Sequence, residues 1–120
     1  MQKPLKEYPK RGRIFIADLD PAFGREIHKK RPVLIISNDN INQIYPVIIA
    51  IPFSSIVPEF VGPDVVKFTN QTGLHKQSAL IVNQIASMDK SRLIKKVGKI
   101  SKLKLKEVEE SLKNVLGLST

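Results

Sequence analysis

The sequence contains no cysteine and only two histidines, His28 and His75. The lack of cysteine excludes thiol catalysis, thiolate zinc sites and iron–sulfur clusters, and it fits a reducing compartment. Two histidines are too few for a histidine-rich metal site, so we expect neither a metal nor any other cofactor. No apolar run approaches the ~20 residues that span a bilayer, and residues 1–6 carry no apolar signal core. These absences predict a cytoplasmic protein without a membrane partner.

Several catalytic motifs are also missing. The chain has no GxxxxGK[ST] phosphate loop, no GxGxxG, no HExxH and no GxSxG. Each of these patterns provides a feature that its chemistry needs, such as a phosphate cradle or a zinc-ligand pair. Nucleotide-driven motors, zinc proteases and serine hydrolases are therefore excluded.

Positive charge is plentiful and unevenly placed. Twenty lysines and arginines against eleven acidic residues give a net charge of +9. Residues 32–66 hold no basic residue, whereas the flanks, residues 1–31 and 67–120, hold nine and eleven. The middle third is thus expected to be buried scaffold between two basic flanks. A basic single domain favours a polyanionic partner, with nucleic acid ahead of an anionic membrane.

A chain of 120 residues corresponds to one domain. We expect an N-terminal extension at residues 1–10 and a single domain at residues 11–120. Short β-branched runs bounded by proline, glycine and asparagine predict strands at residues 14–19, 33–36, 47–51, 65–68, 78–83 and 94–100. Residues 25–31 are polar and basic and are predicted to be a loop. Such closely spaced strands favour a small barrel or sandwich.

The last segment predicts an amphipathic helix. Leu105, Val108 and Leu112 recur at three- and four-residue spacing, which gives one apolar face to pack on the strands. Ser101 is a suitable N-cap, and Gly117 is suited to the position after the helix. The lysines of the first turn oppose the helix dipole, and a solvated face is their simpler interpretation.

Six short segments occur in an order that resembles the MazF/PemK/Kid toxins of bacterial toxin–antitoxin modules. None of them is specific alone, but their order is, and the resemblance covers residues 11–118. They are RGRI at 11–14, DLDP at 18–21, GRE at 24–26, KRPVLIISND at 30–39, IAIPFS at 49–54 and NQIASMDKSRL at 83–93.

The resemblance implies a small SH3-like antiparallel β-barrel with a C-terminal α-helix, assembled as a homodimer. It further implies a toxin that cleaves single-stranded mRNA at short sequences without a metal. The expected products carry a 2′,3′-cyclic phosphate and a 5′-hydroxyl. A cognate MazE-like antitoxin is expected to inhibit the toxin by laying an acidic tail over its RNA groove.

Three catalytic residues follow from the resemblance. Arg31 occupies the position of the family's central arginine, and Ser54 that of its threonine. Glu26 matches the glutamate after the loop glycine. A guanidinium suits developing charge on a phosphoryl oxygen, but it stays protonated and is a poor base. Glu26 is the more natural general base, or it holds Arg31 in place.

The candidate RNA-binding residues include positively charged side chains that could contact phosphates, and aromatic or amide side chains that could contact unstacked bases. They are Arg25, His28, Lys29, Lys30, Phe53, Lys76 and Gln77, with Phe23 and Lys90 as further possibilities. Arg25 departs from the family, which commonly has serine there, and Arg13 replaces a usual acidic residue. The departure at Arg25 is expected to alter RNA contacts. His28 could also serve as an acid or base, because imidazole titrates near neutral pH.

Two other functions remain open at this stage. A CcdB-like toxin resembles this fold but inhibits DNA gyrase by binding. A degenerate member of the family would bind RNA or antitoxin without cutting, and Arg25 and Ser54 keep that alternative open. Retention of Arg31 and of a hydroxyl at position 54 favours RNA cleavage.

Overall fold

The structure is a computed structural model that describes residues 7–21, 23–26, 29–59, 62–68, 74 and 77–118. Within these ranges the chain forms seven β-strands and two α-helices, with 3₁₀ turns at Val82–Gln84 and Lys90–Arg92. The elements in chain order are β1 (Arg13–Asp18), β2 (Lys30–Ile35), α1 (Asp39–Ile44), β3 (Val47–Ser54), β4 (Val65–Phe68), β5 (Ser78–Ile81), β6 (Ala86–Asp89), β7 (Leu93–Lys99) and α2 (Lys102–Leu116).

The strands pair antiparallel in the order β4-β5-β3-β2-β1-β7, and β6 pairs with β3. The expected antiparallel fold with a C-terminal helix is confirmed. The expectation of a closed barrel is wrong in one respect, because β4 and β7 end the described sheet without pairing with each other. Two register shifts between β1 and β7 bend this edge, as bulges do.

The central strands are buried on both faces. Leu34, Ile51 and Phe53 face a cluster that α2 covers, whereas Val33 and Ile35 face a second cluster that contains Met88 and Leu93. Side chains alternate between the faces of a strand, so a strand covered on both faces needs an uninterrupted apolar sequence. This explains the unbroken run at residues 33–36 and the lack of basic residues in the middle third.

Several strand boundaries differ from the prediction. The strands predicted at residues 14–19 and 94–100 are shifted by one residue, and the strand predicted at residues 78–83 ends at Ile81, where a 3₁₀ turn begins.

Two further differences concern candidate catalytic residues. Lys30 and Arg31 belong to β2 rather than to a loop, because the ladder with β1 continues to the pair Asp18–Lys30. β3 continues through Pro52 to Ser54. Pro52 lies between the β3 residues that pair with β6 and those that pair with β5. A proline has no backbone N–H to donate, and it is tolerated best where the hydrogen bonding between strands is interrupted. Both extensions carry a candidate catalytic residue into regular structure.

Helix α2 matches its prediction. The Ser101 hydroxyl accepts the backbone N–H of Lys104, and Gly117 ends the helix with a left-handed φ of 69°. The fully buried Val108 joins the core cluster, with Leu105, Leu112 and Val115 packed around it. None of the helices in the described ranges is long and apolar enough to cross a membrane.

Helix α1 and strand β6 were not predicted. The segment at residues 37–40 has a turn-like composition, but Asn38 caps α1 through its side chain. Asn42 is fully buried and holds the helix to Ser37 by two hydrogen bonds. β6 has the weak sequence ASMD, and only its pairing with β3 makes it a strand.

Candidate active site

The ends of β2 and β3 form one side of an open cleft of about 410 Å³. Three cations line it, Lys30, Arg31 and Lys95, and so do three serine hydroxyls, at Ser54, Ser55 and Ser78. The remaining lining residues are apolar: Ile16, Pro32, Phe53, Leu74 and Val97. No carboxylate is among the described residues that line this cationic cleft. Such a combination of cations and hydroxyl donors suits a phosphate group.

The sheet register brings Arg31 and Ser54 together. The ladder between β2 and β3 pairs Val33 with Pro52. Arg31 and Ser54 each lie two residues beyond this pair, at the ends of β2 and β3 that face the same direction. Both side chains are half-buried and line the cationic cleft. The two predicted catalytic residues therefore share one cleft, although 23 positions separate them in the sequence.

The Ser54 hydroxyl is held in place but keeps its proton available. Its oxygen accepts the backbone N–H of Ile56 at 3.1 Å. A hydroxyl that accepts through its oxygen can still donate through its hydrogen. The Ser54 hydroxyl can therefore accept the N–H of Ile56 and at the same time donate its hydrogen to an oxygen atom of a ligand in the cleft.

Glu26 lies elsewhere. It lines a second cavity, of about 520 Å³, here called the loop cavity. The other residues of the loop cavity are Leu19, Pro21, Arg25, Pro52, Asn83, Gln84, Ile85, Ala86, Ser87, Met88 and Arg92. The carboxylate of Glu26 accepts the backbone N–H of Phe23 at 2.7 Å, and the N–H of Glu26 bonds to the carbonyl of Phe23. Glu26 thus closes a turn with Phe23 and lines the loop cavity, and the catalytic role expected of it stays a prediction.

The loop cavity has a different chemical character from the cationic cleft. Asn83 and Gln84 bring amide groups, Ser87 brings a hydroxyl, and Arg25 and Arg92 bring charge. Leu19, Ile85 and Met88 contribute apolar surface. Amides and apolar walls together suit the edges and faces of an unstacked base better than a phosphate alone.

The candidate RNA-binding residues are dispersed. Lys30 lines the cationic cleft and Arg25 the loop cavity. Lys29 is exposed between them with a φ of 71°, and its backbone N–H bonds to Asp20. Gln77 is exposed just before β5. His28 and Lys76, like His75, lie outside the described residues.

The two phenylalanines differ sharply. Phe53 is 1% exposed and its ring packs edge-to-face on Phe68, with centroids 5.2 Å apart. The prediction that Phe53 stacks on RNA bases is therefore corrected, since a buried ring in the core offers no open face. Phe23 is 80% exposed at the edge of the loop that holds Glu26. Its exposed position suits stacking better than that of Phe53.

Sequence reasoning missed Lys95 and Arg92 as site residues. Lys95 lies on β7 opposite Ile16, and this pairing brings it to the cationic cleft. Arg92 belonged to a quoted motif without a role, yet it lines the loop cavity. The neighbouring sequence could not predict either placement, because both depend on the pairing of β7 with β1, which is distant along the chain.

Asp89 begins the turn that carries Arg92. Its pKa is lowered because its carboxylate accepts hydrogen bonds from Ser91, with the charge of Arg92 lowering it further. The turn is therefore held by a charged acceptor at any pH above the usual range of aspartate. Among the described residues, no group of three or more histidines and carboxylates could hold a metal ion.

Known proteins resemble this chain over nearly its whole length. The family model for the PemK-like, MazF-like toxin of type II toxin–antitoxin systems matches residues 10–116. A curated relative, Endoribonuclease MazF from Staphylococcus saprophyticus, is 35% identical over 112 residues, which cover 92% of this chain and 93% of that protein.

Solved structures show the same fold. MazF from Deinococcus radiodurans superposes with a TM-score of 0.83 at 23% identity, covering 94% of this chain and all of that one. A MazE–MazF structure from the same organism gives a TM-score of 0.77 at 23% identity, covering 95% of this chain and all of the matched one.

Proposed function

The chain belongs to the family of PemK-like, MazF-like toxins of type II toxin–antitoxin systems, and from this premise we propose how its endoribonuclease activity is carried out. The substrate is single-stranded mRNA, cut at a short defined sequence without a metal. The cationic cleft holds the scissile phosphate. The observation that supports this assignment most directly is that Arg31 and Ser54 line one cleft with two further cations, Lys30 and Lys95, and no described carboxylate.

The reaction proceeds by attack of the 2′-oxygen on the adjacent phosphorus. The bond from phosphorus to the 5′-oxygen breaks, leaving a 2′,3′-cyclic phosphate and a 5′-hydroxyl. Negative charge grows on the phosphoryl oxygens in the transition state. Arg31 stabilises that charge through its planar donors, and Ser54 donates one further hydrogen bond.

Two proton transfers accompany this attack, one from the 2′-hydroxyl and one to the 5′-oxygen. Arg31 is a poor acceptor because a guanidinium stays charged. The carboxylate of Glu26 accepts the N–H of Phe23 at 2.7 Å through Oε1. This bond to Oε1 leaves a carboxylate able to accept a proton, so Glu26 stays the proposed acceptor of the 2′-hydroxyl proton, and the 5′-oxygen takes its proton from water.

Primer extension on a long single-stranded RNA tests the proposal. The purified protein is incubated with the RNA in EDTA, and the stops of the reverse transcriptase mark the cuts. Discrete stops at one repeated sequence are expected. Intact RNA, with the fold verified by circular dichroism, would contradict the proposal and direct attention to inhibition of gyrase, measured as supercoiling.

Replacing Ser54 by alanine is expected to lower the cleavage rate by about 10- to 100-fold, because one donor to the phosphoryl oxygens is lost. Ser54→Thr keeps the hydroxyl and should stay within about threefold of the wild type, since the family position carries threonine. Single-turnover rates measure both. Ser101→Ala is the matched control, since the Ser101 hydroxyl caps α2 and lines neither cavity, and an equal loss in that variant would refute a specific role for Ser54.

The homodimer expected for the family is supported by an apolar surface. Ile44 and Tyr45 at the end of α1 are 72% and 56% exposed, and Val47 and Ile49 on the outer side of β3 follow at 41% and 38%. Contiguous apolar patches of this kind mark interaction sites in soluble proteins.

Light scattering is expected to give about twice the 13.5 kDa of one chain at micromolar concentration. Ile44→Lys should shift the protein to the monomer, because a charge would be buried in the interface. Ile56→Lys is the control, since Ile56 is 78% exposed outside this surface. A wild-type monomer would count against the dimer.

A cognate MazE-like antitoxin is the proposed inhibitor. An acidic segment complements the charges of the cationic cleft and would exclude the phosphates of RNA from it. The cytoplasm, where mRNA is translated, is the proposed location.

A further inference from the structure

The residues around the loop cavity come from two distant parts of the chain. Leu19, Pro21, Arg25 and Glu26 follow β1, whereas Asn83 and the residues up to Met88 follow β5 and form β6. A base bound in this cavity would contact both sets. The distance between the two sets of residues therefore decides which bases can form hydrogen bonds to both sets at once.

Arg92 connects the two sets. It ends the Lys90–Arg92 turn directly after β6. Its Nη1 atom donates to the backbone oxygens of Asp18 and Asp20, each at 2.9 Å. One Nη atom carries two N–H groups, so both are directed at the start of the loop. Both contacts are charge-assisted and thus stronger than bonds between neutral groups.

The loop that Arg92 holds is closed at its base. The N–H of Leu19 donates to the carbonyl of Lys29 at 3.0 Å, and the N–H of Lys29 donates to the Asp20 carboxylate at 3.0 Å. These bonds join the two ends of the loop that connects β1 and β2. Arg92 therefore anchors both the segment with Arg25 and Glu26 and the entry into Lys30 and Arg31.

The other end of the connection is equally defined. Asp89 accepts the backbone N–H of Ser91 at 2.8 Å and caps the short turn that ends in Arg92. β6, which precedes it, pairs with β3 over four residues. The guanidinium is thus fixed to the sheet on one side and to the loop on the other.

We propose that Arg92 is a positioning residue that sets the spacing across the loop cavity and thereby the RNA sequence that is cut. This inference rests on the proposed endoribonuclease function. Arg92 acts on selectivity because it holds the segment with Arg25 and Glu26 against the segment with Asn83. It is not assigned any step of the bond cleavage.

The test compares Arg92→Gln, Arg92→Lys and a control, Arg11→Gln. Arg11 likewise donates to a backbone oxygen, that of Ile36 at 3.0 Å, and pairs with Glu109, but it lines neither cavity. Cleavage is measured on the preferred sequence and on the same RNA with one base changed. Hydrogen exchange is followed at the amides of Leu19 and Lys29.

In Arg92→Gln, discrimination between the two RNAs is expected to fall about tenfold, with exchange at both amides rising at least about tenfold. Arg92→Lys keeps a charged terminal nitrogen with several donors and should recover part of both losses. Arg11→Gln should keep the wild-type selectivity. If Arg92→Gln does not fold, Arg92→Met, which retains the apolar stem, takes its place.

Wild-type selectivity and exchange in the folded Arg92→Gln variant would overturn the proposal. So would an equal loss of cleavage on both RNAs, because a general structural role predicts that pattern. Absence of cleavage by the wild type itself would instead reject the endoribonuclease function. In that case the exchange data would still decide whether Arg92 anchors the loop.

Discussion

Replacing Arg31 by alanine is expected to reduce RNA cleavage by about 100- to 1,000-fold, since one preorganised donor group for the transition-state charge is removed. The phosphate in the cationic cleft would retain Lys30 and Lys95, so RNA binding should weaken far less than the rate falls. An interaction made mainly in the transition state lowers kcat and kcat/KM together. Single-turnover kinetics with separate binding measurements would show this split.

Two further variants test whether the planar guanidinium of Arg31 is needed, as distinct from its positive charge and from its contribution to the stability of the fold. Arg31→Lys keeps the charge but loses the planar fork, and it should recover only a small part of the rate. Arg13→Ala removes another half-buried strand arginine that does not line the cationic cleft. Cleavage by Arg31→Ala within about threefold of the wild type would move the site away from this cleft.

Replacing Phe53 by alanine is expected to lower the free energy of unfolding by about 3–5 kcal/mol. The ring is 1% exposed and packs against Phe68 in a cluster that α2 covers. Removing it leaves a cavity that the surrounding strands can fill only in part. Because domains are stable by only about 5–15 kcal/mol, a loss of this size would be plain in urea denaturation.

Phe23→Ala is the matched control. With 80% of Phe23 exposed, its removal should change the free energy of unfolding by less than about 0.5 kcal/mol. It should instead weaken binding of a short RNA, since stacking on one base contributes about 1–3 kcal/mol. The reverse pattern, with Phe53→Ala stable and weak in RNA binding, would contradict the placement of the two rings.

The two cavities divide the proposed task. The cationic cleft supplies charge and hydroxyl donors for the phosphate, and the loop cavity supplies amides and apolar surface for a base. The loop between β1 and β2 contributes Arg25 to the loop cavity, and the first residue of β2, Lys30, lines the cationic cleft. Contacts to phosphates give affinity, and contacts to bases give sequence selectivity. Variants in the cationic cleft should therefore change RNA affinity or the cleavage rate on every sequence, whereas variants in the loop cavity should change which sequence is cut.

The sequence was most informative where local pattern and burial agree. The apolar run at residues 33–36 predicted a buried strand, and the spacing of Leu105, Val108 and Leu112 predicted α2. Ser101 and Gly117 predicted its ends, because capping depends on a few neighbouring residues. Helix α1 and strand β6 were missed. The second depends on pairing with β3, which is not local. The first has local determinants, the Asn38 cap and the Ser37–Asn42 bonds, but the composition of residues 37–40 is equally typical of a turn.

The sequence alone determined the family, the lack of thiol chemistry, the basic flanks and the candidates Arg31, Ser54 and Glu26. Only the tertiary structure decided which of them meet. Arg31 and Ser54 line the same cleft because β2 and β3 are neighbouring strands, whereas Glu26 lines the loop cavity and bonds to Phe23 in its own loop. Burial assigned Phe53 to the core, and the pairing of β7 with β1 brought Lys95 to the cleft. Residue identity sets what a side chain can do, but long-range strand pairing sets what it can reach, and no local pattern encodes that pairing.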